Sequence, residues 1–333
     1  MKLIFKKNYK ILVFIHFLLL SNPLNAATET FDGWLKSYKQ FAFEKGVSKE
    51  TINDVFKNVK FIEKVIEYDR RQPEFYEETN TYISKRATLS RVLIANKLLR
   101  KNKELFIKVE KEFNVEKEVL LALWGIETNF GKHVGKMDII SSLATLSYDK
   151  RRRAFFSNQL LTLLKLVDKQ LIYPETLYGS WAGAFGNFQF MPSTISNYAI
   201  DYDKNNKIEL KKSLNDSVAS AANYINKIGW KSNEPCYYRV KLTKDIKSTY
   251  INTSAKNISK RLKISDWVKK GVIKYDGSEF ATELQAALIL PDNKKNSPSF
   301  LVFSNYEQIL KWNRSLRFGV TVCKLAKMIK NDF

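Results

Sequence analysis

Across residues 31–113, apolar side chains recur at spacings of three and four with few breakers, the signature of helices with one buried face. Leu89, Val92, Leu93, Asn96 and Leu99 trace one such stripe, and Leu105, Phe106, Val109 and Phe113 trace another. The stretch 69–75 interrupts the pattern with polar residues and reads as a turn between helices. A second helical segment runs from Asn114 to about Trp230. Asn114 is placed to cap a helix whose stripe is Val119, Leu120, Leu123, Trp124 and Glu127, with Gly131 as its stop. Residues 151–172 predict a long helix with Leu160, Leu161, Leu164 and Val167 on one face. A Gly-rich aromatic loop over 179–191 follows, and Pro192 fits the first turn of a short helix ending near Tyr198. From about Pro235 the period changes. Residues 237–242, 272–275 and 300–303 read as strands, with Asp276-Gly277 as a turn, and predict a small antiparallel sheet. Residues 316–330 close the chain as a strand or a helix.

Composition supports a folded, mainly α chain: 333 residues hold only 12 Gly and 7 Pro, well below average usage. The chemistry open to it is narrower. With 2 His, one of them (His16) in the N-terminal segment, and 2 Cys, a three-His or four-Cys zinc site is excluded. Any Ser-His-Asp triad would rest on His133 alone. Carboxylates and hydroxyls remain. Residues 1–26 read as a signal peptide: Lys2, Lys6, Lys7 and Lys10 precede an apolar run over 11–20, then Leu24-Asn25-Ala26 ends on a small residue. That run is short for a span, and no cysteine follows to take a lipid. A soluble periplasmic protein is expected, with an uncleaved anchor as the alternative. The net charge is +22; removal of those four lysines leaves +18. Such a balance suits an anionic wall polymer or peripheral membrane association, or reflects general lysine usage. No nucleic-acid motif accompanies it, so no nucleic-acid partner is expected.

Glu127 stands where a purely structural account would not put a glutamate. It lies three residues after Trp124 and seven after Leu120, so helix geometry aims it along the apolar stripe. Desolvation there disfavours the charged form and makes a general acid. The bland alternative is an ion pair with Arg151, Arg152 or Arg153. Its company favours chemistry: small residues at Gly131 and 179–186 admit a polymer, aromatic faces stack on sugars, and Ser180, Gln189 and Asn129 can bond hydroxyl and acetamido groups.

These residues carry a resemblance. Residues 124–131 (WGIETNFG), 142–147 (SLATLS), 152–154 (RRA), 179–184 (GSWAGA), 189–192 (QFMP), 69–75 and 313–315 (NRS) occur in the order found in the lytic murein transglycosylase B family, which the chain resembles. Any one is short, but the ordered set is specific; residues 235–298 resemble the family only loosely. The resemblance implies a lysozyme-like catalytic core over 114–232, flanked by a helical region (27–113), a small antiparallel β subdomain (233–300) and a C-terminal segment (301–333) returning to the cleft. It implies cleavage of the β-1,4 bond between N-acetylmuramic acid and N-acetylglucosamine of peptidoglycan, leaving a 1,6-anhydromuramyl end, by a monomer that requires no cofactor. Glu127 matches the single acid/base. Ser180, Gln189, Arg152, Arg153, Tyr82 and Asn313 match positions around the substrate. Phe318 stands where the family tends to place a cleft tyrosine.

Residues 201–209 resemble the first half of an EF-hand loop, with Asp201, Asp203 and Asn205 as oxygen ligands and the Lys207 carbonyl as a fourth. Asn206 replaces the turn glycine, a left-handed position that Asn tolerates, and Lys212 replaces the closing glutamate. The family's longer version of the loop makes Asp216 the closing ligand. A structural calcium or sodium ion is one expectation; a plain Asx-rich turn is the other. Cys236 and Cys323 are open to pairing in an oxidising compartment.

Overall fold

A computed structural model describes residues 29–71, 77–294 and 296–332. The expected signal peptide (1–26) and residues 72–75 of the polar interruption lie outside that set.

The N-terminal region is helical. Its elements are α1 (Phe31–Glu44), α2 (Lys49–Val55), α3 (Glu63–Arg70), α4 (Thr79–Arg86), α5 (Leu89–Lys101) and α6 (Lys103–Phe113). Local chemistry sets the starts: Thr30, Ser48 and Thr88 each accept an N–H of the first turn of α1, α2 and α5. The face of α5 differs from the expected stripe. Val92, Ala95, Asn96 and Leu99 are buried, whereas Leu89 and Leu93 are 63% and 56% exposed. Apolar spacing alone could not rank Ala95, whose small side chain suits a helix–helix contact, above two leucines.

Asn114 also departs from expectation. It is left-handed, φ 54°, and ends α6 instead of starting the next helix, as Asn readily does. α7 (Lys117–Thr128) begins at Glu116, whose side chain makes no cap bond to it. The Glu116 carboxylate accepts instead from Trp230 Nε1 and from the Asn233 N–H, both at 2.7 Å.

α7 is buried almost all round, from Glu118 to Gly125, as befits a central helix. Around it come β1 (Met137–Asp138), α8 (Ile139–Tyr148), α9 (Arg153–Asp168), β2 (Tyr178–Gly179), α10 (Pro192–Tyr198) and α11 (Leu214–Lys227). β1 and β2 pair antiparallel, Met137 opposite Gly179. Pro192 opens α10, and Tyr198 closes it, where the sequence placed them.

The sheet region contains β3 (Tyr237–Leu242), β4 (Ile251–Asn252), β5 (Leu262–Lys263), α12 (Ile264–Lys269), β6 (Val272–Lys274), β7 (Gln285–Ile289) and β8 (Ser299–Val302). The order is β4-β7-β8-β3-β6, with β5 also on β7. All pairs are antiparallel except β4 with β7, which is parallel. The three strands read from sequence are β3, β6 and β8. β7 escaped that reading because it is buried from Ala286 to Ile289 and so shows no alternation.

The chain ends with α13 (Ser304–Trp312) and α14 (Leu316–Asp332). α14 packs along α7, α5 and α4, so the C-terminus is helix and central. One apolar core runs from Trp34 through Leu120, Leu121 and Leu123 to Ile329. A smaller one, around Trp267, Leu288 and Leu301, fills the sheet region. Each fully buried leucine contributes roughly 1.5–3 kcal/mol of transfer free energy. Cys236 and Cys323 are bonded, with Cα atoms 6.0 Å apart, joining the start of the sheet region to α14.

Candidate active site

Glu127 occupies the last turn of α7, where the chain stops being helical. Asn129, Phe130 and Gly131 follow in left-handed conformation, at φ 49°, 58° and 83°. Gly131 must be glycine for a second reason. A Cβ there would come within 2.7 Å of Asn187 Oδ1. Thr128 fastens this turn to the Gly-rich loop by donating to the Asn187 carbonyl at 2.7 Å and accepting the Gly131 N–H at 3.0 Å.

The carboxylate itself is half-buried. Trp312, the last residue of α13, donates its indole Nε1–H to Glu127 Oε1 at 2.9 Å. A bond from a fixed indole holds one carboxylate oxygen in place, as a group that must pass a proton in a defined direction requires. Aromatic rings back this pair. Trp312 stacks on Tyr224 at 5.1 Å and touches Phe190 at 5.3 Å, Tyr224 stacks on Tyr198 at 4.5 Å, and Trp124 stacks on Phe188 at 6.3 Å. Burial pushes the Tyr224 hydroxyl up to about 12. Five separate segments thus meet in one aromatic wall beside one carboxylate.

The sequence-derived residues fall into distinct places. Ser180 Oγ accepts the Ala184 N–H at 3.0 Å and closes its loop, leaving its own hydrogen to donate. Gly179 lets the loop close so tightly, since a Cβ there would sit 2.3 Å from the Ala184 carbonyl oxygen. Gln189, left-handed at φ 50°, donates to the carbonyls of Val134 and Gly186. Arg153 donates to the Tyr148 carbonyl at 2.7 Å. Both therefore fasten backbone, Gln189 within its loop and to Val134, and Arg153 between the end of α8 and the start of α9. The carboxylate at the arginine cluster is the buried Asp69: Arg151 Nε donates to it at 2.7 Å and Arg152 Nη1 lies 3.6 Å away. Arg152 also lies over the rings of Phe155 and Phe156. Tyr82 is buried on α4 beneath the Arg86 guanidinium, 3.7 Å from its ring centroid. Asn313 follows Trp312 directly. Phe318 is a core residue of α14.

Two residues escaped the sequence reading. Trp312 had a signal, because it immediately precedes Asn313-Arg314-Ser315. Asn187 had less: its amide accepts from Trp124 Nε1 at 3.3 Å and donates to Ser217 Oγ at 3.1 Å, joining α7, the loop and α11.

In the acidic loop, carboxylate oxygens of Asp201, Asp203 and Asp216 lie within 4.8 Å of one another. Asn206 is left-handed at φ 66°, in the place of the missing glycine. Asp201 accepts the N–H groups of Asn205 and Asn206, at 3.0 and 2.7 Å. Asp216 is fully buried and accepts from Tyr202 and Glu209. Burial outweighs those bonds and raises its carboxyl above the ordinary range. The donor set fits a hard cation.

A mainly helical frame, a half-buried glutamate at a helix end and a Gly-rich aromatic wall make a lysozyme-like arrangement. Residues 30–327 match the family described as the transglycosylase SLT domain, and the chain belongs to that family. It is 40% identical over 119 residues to the membrane-bound lytic murein transglycosylase B of Escherichia coli (strain K12). That match spans 35% of this chain and 33% of the relative, about a third of its length. Among solved structures, SltB3 of Pseudomonas aeruginosa in complex with NAG-anhNAM-pentapeptide is 32% identical at TM-score 0.82, covering 91% of this chain and 80% of that one. An Escherichia coli lytic transglycosylase in complex with calcium shares the fold at TM-score 0.76 and 22% identity, covering 90% of this chain and 93% of that one.

Proposed function

We propose that this protein is an exported peptidoglycan lytic transglycosylase in which Glu127 is the single acid/base. Its protonated carboxyl gives a proton to the glycosidic oxygen between N-acetylmuramic acid and N-acetylglucosamine, and the C1–O bond breaks. The muramyl C6 hydroxyl oxygen then bonds to C1, and its proton returns to Glu127. No water is consumed, and the product ends in 1,6-anhydromuramic acid. Glycosidases ordinarily use two carboxylates; here the substrate supplies the nucleophile. The observation that carries this reading is the half-buried Glu127 held by Trp312 beside an aromatic wall. Three other acids have structural partners: Glu116 with Trp230, Asp69 with Arg151, and Asp138 as the cap of α8.

Ser180 donates its remaining hydrogen to the substrate acetamido group, and Asn313 and Arg152 contact the strand. Gln189 and Arg153 act by positioning the loop and α9. The bonded cysteines agree with export, since such bonds persist in oxidising compartments. Asp201, Asp203, Asn205, Asp216 and the Lys207 carbonyl would hold a structural calcium ion, stiffening the loop and taking no part in the reaction. Replacement Glu127→Gln tests the proposal: lysis of purified sacculi should be lost while the melting temperature stays close to wild type. A lytic Glu127→Gln protein would remove this residue from the mechanism.

A further inference from the structure

Away from Glu127, a groove of about 1060 Å³ lies on the sheet region, walled by β3, the chain after it, and the connection between β7 and β8. Arg239, Lys241, Lys244 and Lys294 line it against one carboxylate, Asp245. Lys294 pairs with Glu78 at 3.1 Å. Arg239 and Lys241 both stand over the exposed ring of Tyr275, at 4.0 and 4.7 Å, which sets two cations side by side. A further hollow of about 320 Å³ continues past Asn80 and Arg239 along α4 to Lys324. The trough is therefore long and cationic, with apolar stretches at Ile83, Tyr237 and Phe300.

Its backbone edge is the second observation. β3 pairs with β8 from Tyr237 opposite Val302 to Val240 opposite Ser299. The Phe303 N–H donates to Cys236 O, so even-numbered residues of β3 bond toward β8. Odd-numbered residues face β6, as Tyr275 N–H to Arg239 O and Thr243 N–H to Gly271 O show. The peptide groups of Leu242 therefore point toward β8, one step beyond its end. There the register calls for Ser297, whose N–H turns back to Lys294 O, and Pro298 has no N–H to offer. A short strand edge is left facing the groove beside the cations.

We propose that this groove binds an extended, carboxylate-bearing peptide, the peptide stem of a peptidoglycan strand. Arg239, Lys241 and Lys244 take its carboxylates, and the Leu242 peptide groups take its backbone in the manner of strand addition. The assignment rests on the wall-polymer reading above, but the groove shares no lining residue with the wall around Trp312. The two are held on one frame. Asp292, in the groove's connection, accepts from Thr79 Oγ1 at 2.6 Å and from Arg317 Nη2 at 2.8 Å. Arg317 lies just past Trp312 and Asn313. The groove holds the strand; Glu127 cuts it.

The test is calorimetric titration of the free stem pentapeptide into the whole protein, at low and high salt. Binding is expected, weakened by salt, and weakened about tenfold or more in the double variant Arg239→Glu/Lys241→Glu. Both side chains are exposed, so the variant should melt like wild type. It should cleave peptide-free glycan strands at the wild-type rate and peptide-bearing sacculi more slowly, through a raised KM. No binding to wild type, or equal affinity in variant and wild type, overturns the groove. Equal binding of an all-L acidic peptide overturns it too, in favour of a protein segment. The Glu127→Gln protein should bind the pentapeptide normally; if it also lyses sacculi, the assignment of Glu127 fails and the groove stands.

Discussion

A carboxylate at the end of a buried helix is useful for proton transfer only if something fixes its direction, and Trp312 does this for Glu127. A hydrogen bond to a charged group is worth roughly 1.5–3 kcal/mol, or about 10- to 100-fold in rate if it acts in the transition state. Trp312→Phe should keep the ring stack and lose the donor, so kcat should fall by about that factor while folding is retained. An unchanged kcat would mean that the indole N–H orients nothing. Glu127 was legible in the sequence because a charge in an apolar stripe is anomalous in itself. Its partner was not, because the two lie 185 residues apart and no local period links them. Gln189 and Arg153 were expected at the substrate, and their bonds to backbone carbonyls could not be foreseen: sequence gives the residue, whereas the direction of a side chain depends on the loop around it.

At the scale of elements, the loop over 201–216 carries the clearest test. Its turn was readable because Asx-rich spacing has a mechanism, and Asn206 adopts the left-handed geometry required of it. A bound cation stabilises the folded state by mass action. Calcium should therefore raise the melting temperature of the wild type and not of Asp201→Ala. Calcium-independent melting of both proteins would reduce the loop to a plain turn. Other elements were less legible. β7 is buried on both faces, so its period is lost, and the α5 face turned on Ala95, a residue that apolar spacing does not rank.

For the whole molecule, the broad architecture was readable: helices, then a small sheet, then a closing element. Its closure was not. α14 completes the packing around α7, and the bond between Cys236 and Cys323 closes a loop of 87 residues. Chain-entropy reasoning assigns such a crosslink about 4.6 kcal/mol, with typical measured losses of about 2–4. Cys236→Ser/Cys323→Ser should lower the unfolding free energy by an amount in that range, read by denaturant titration, and reducing agent should do the same to wild type. Unaltered midpoints would show that the C-terminal helix is held by packing alone. What leaves the active site distinguishes a lyase from a hydrolase. Mass analysis of muropeptides released from purified sacculi should find anhydromuramyl ends, each lighter by one water than the hydrolytic product. Reducing muramic ends in their place would contradict the account and make the protein a hydrolase.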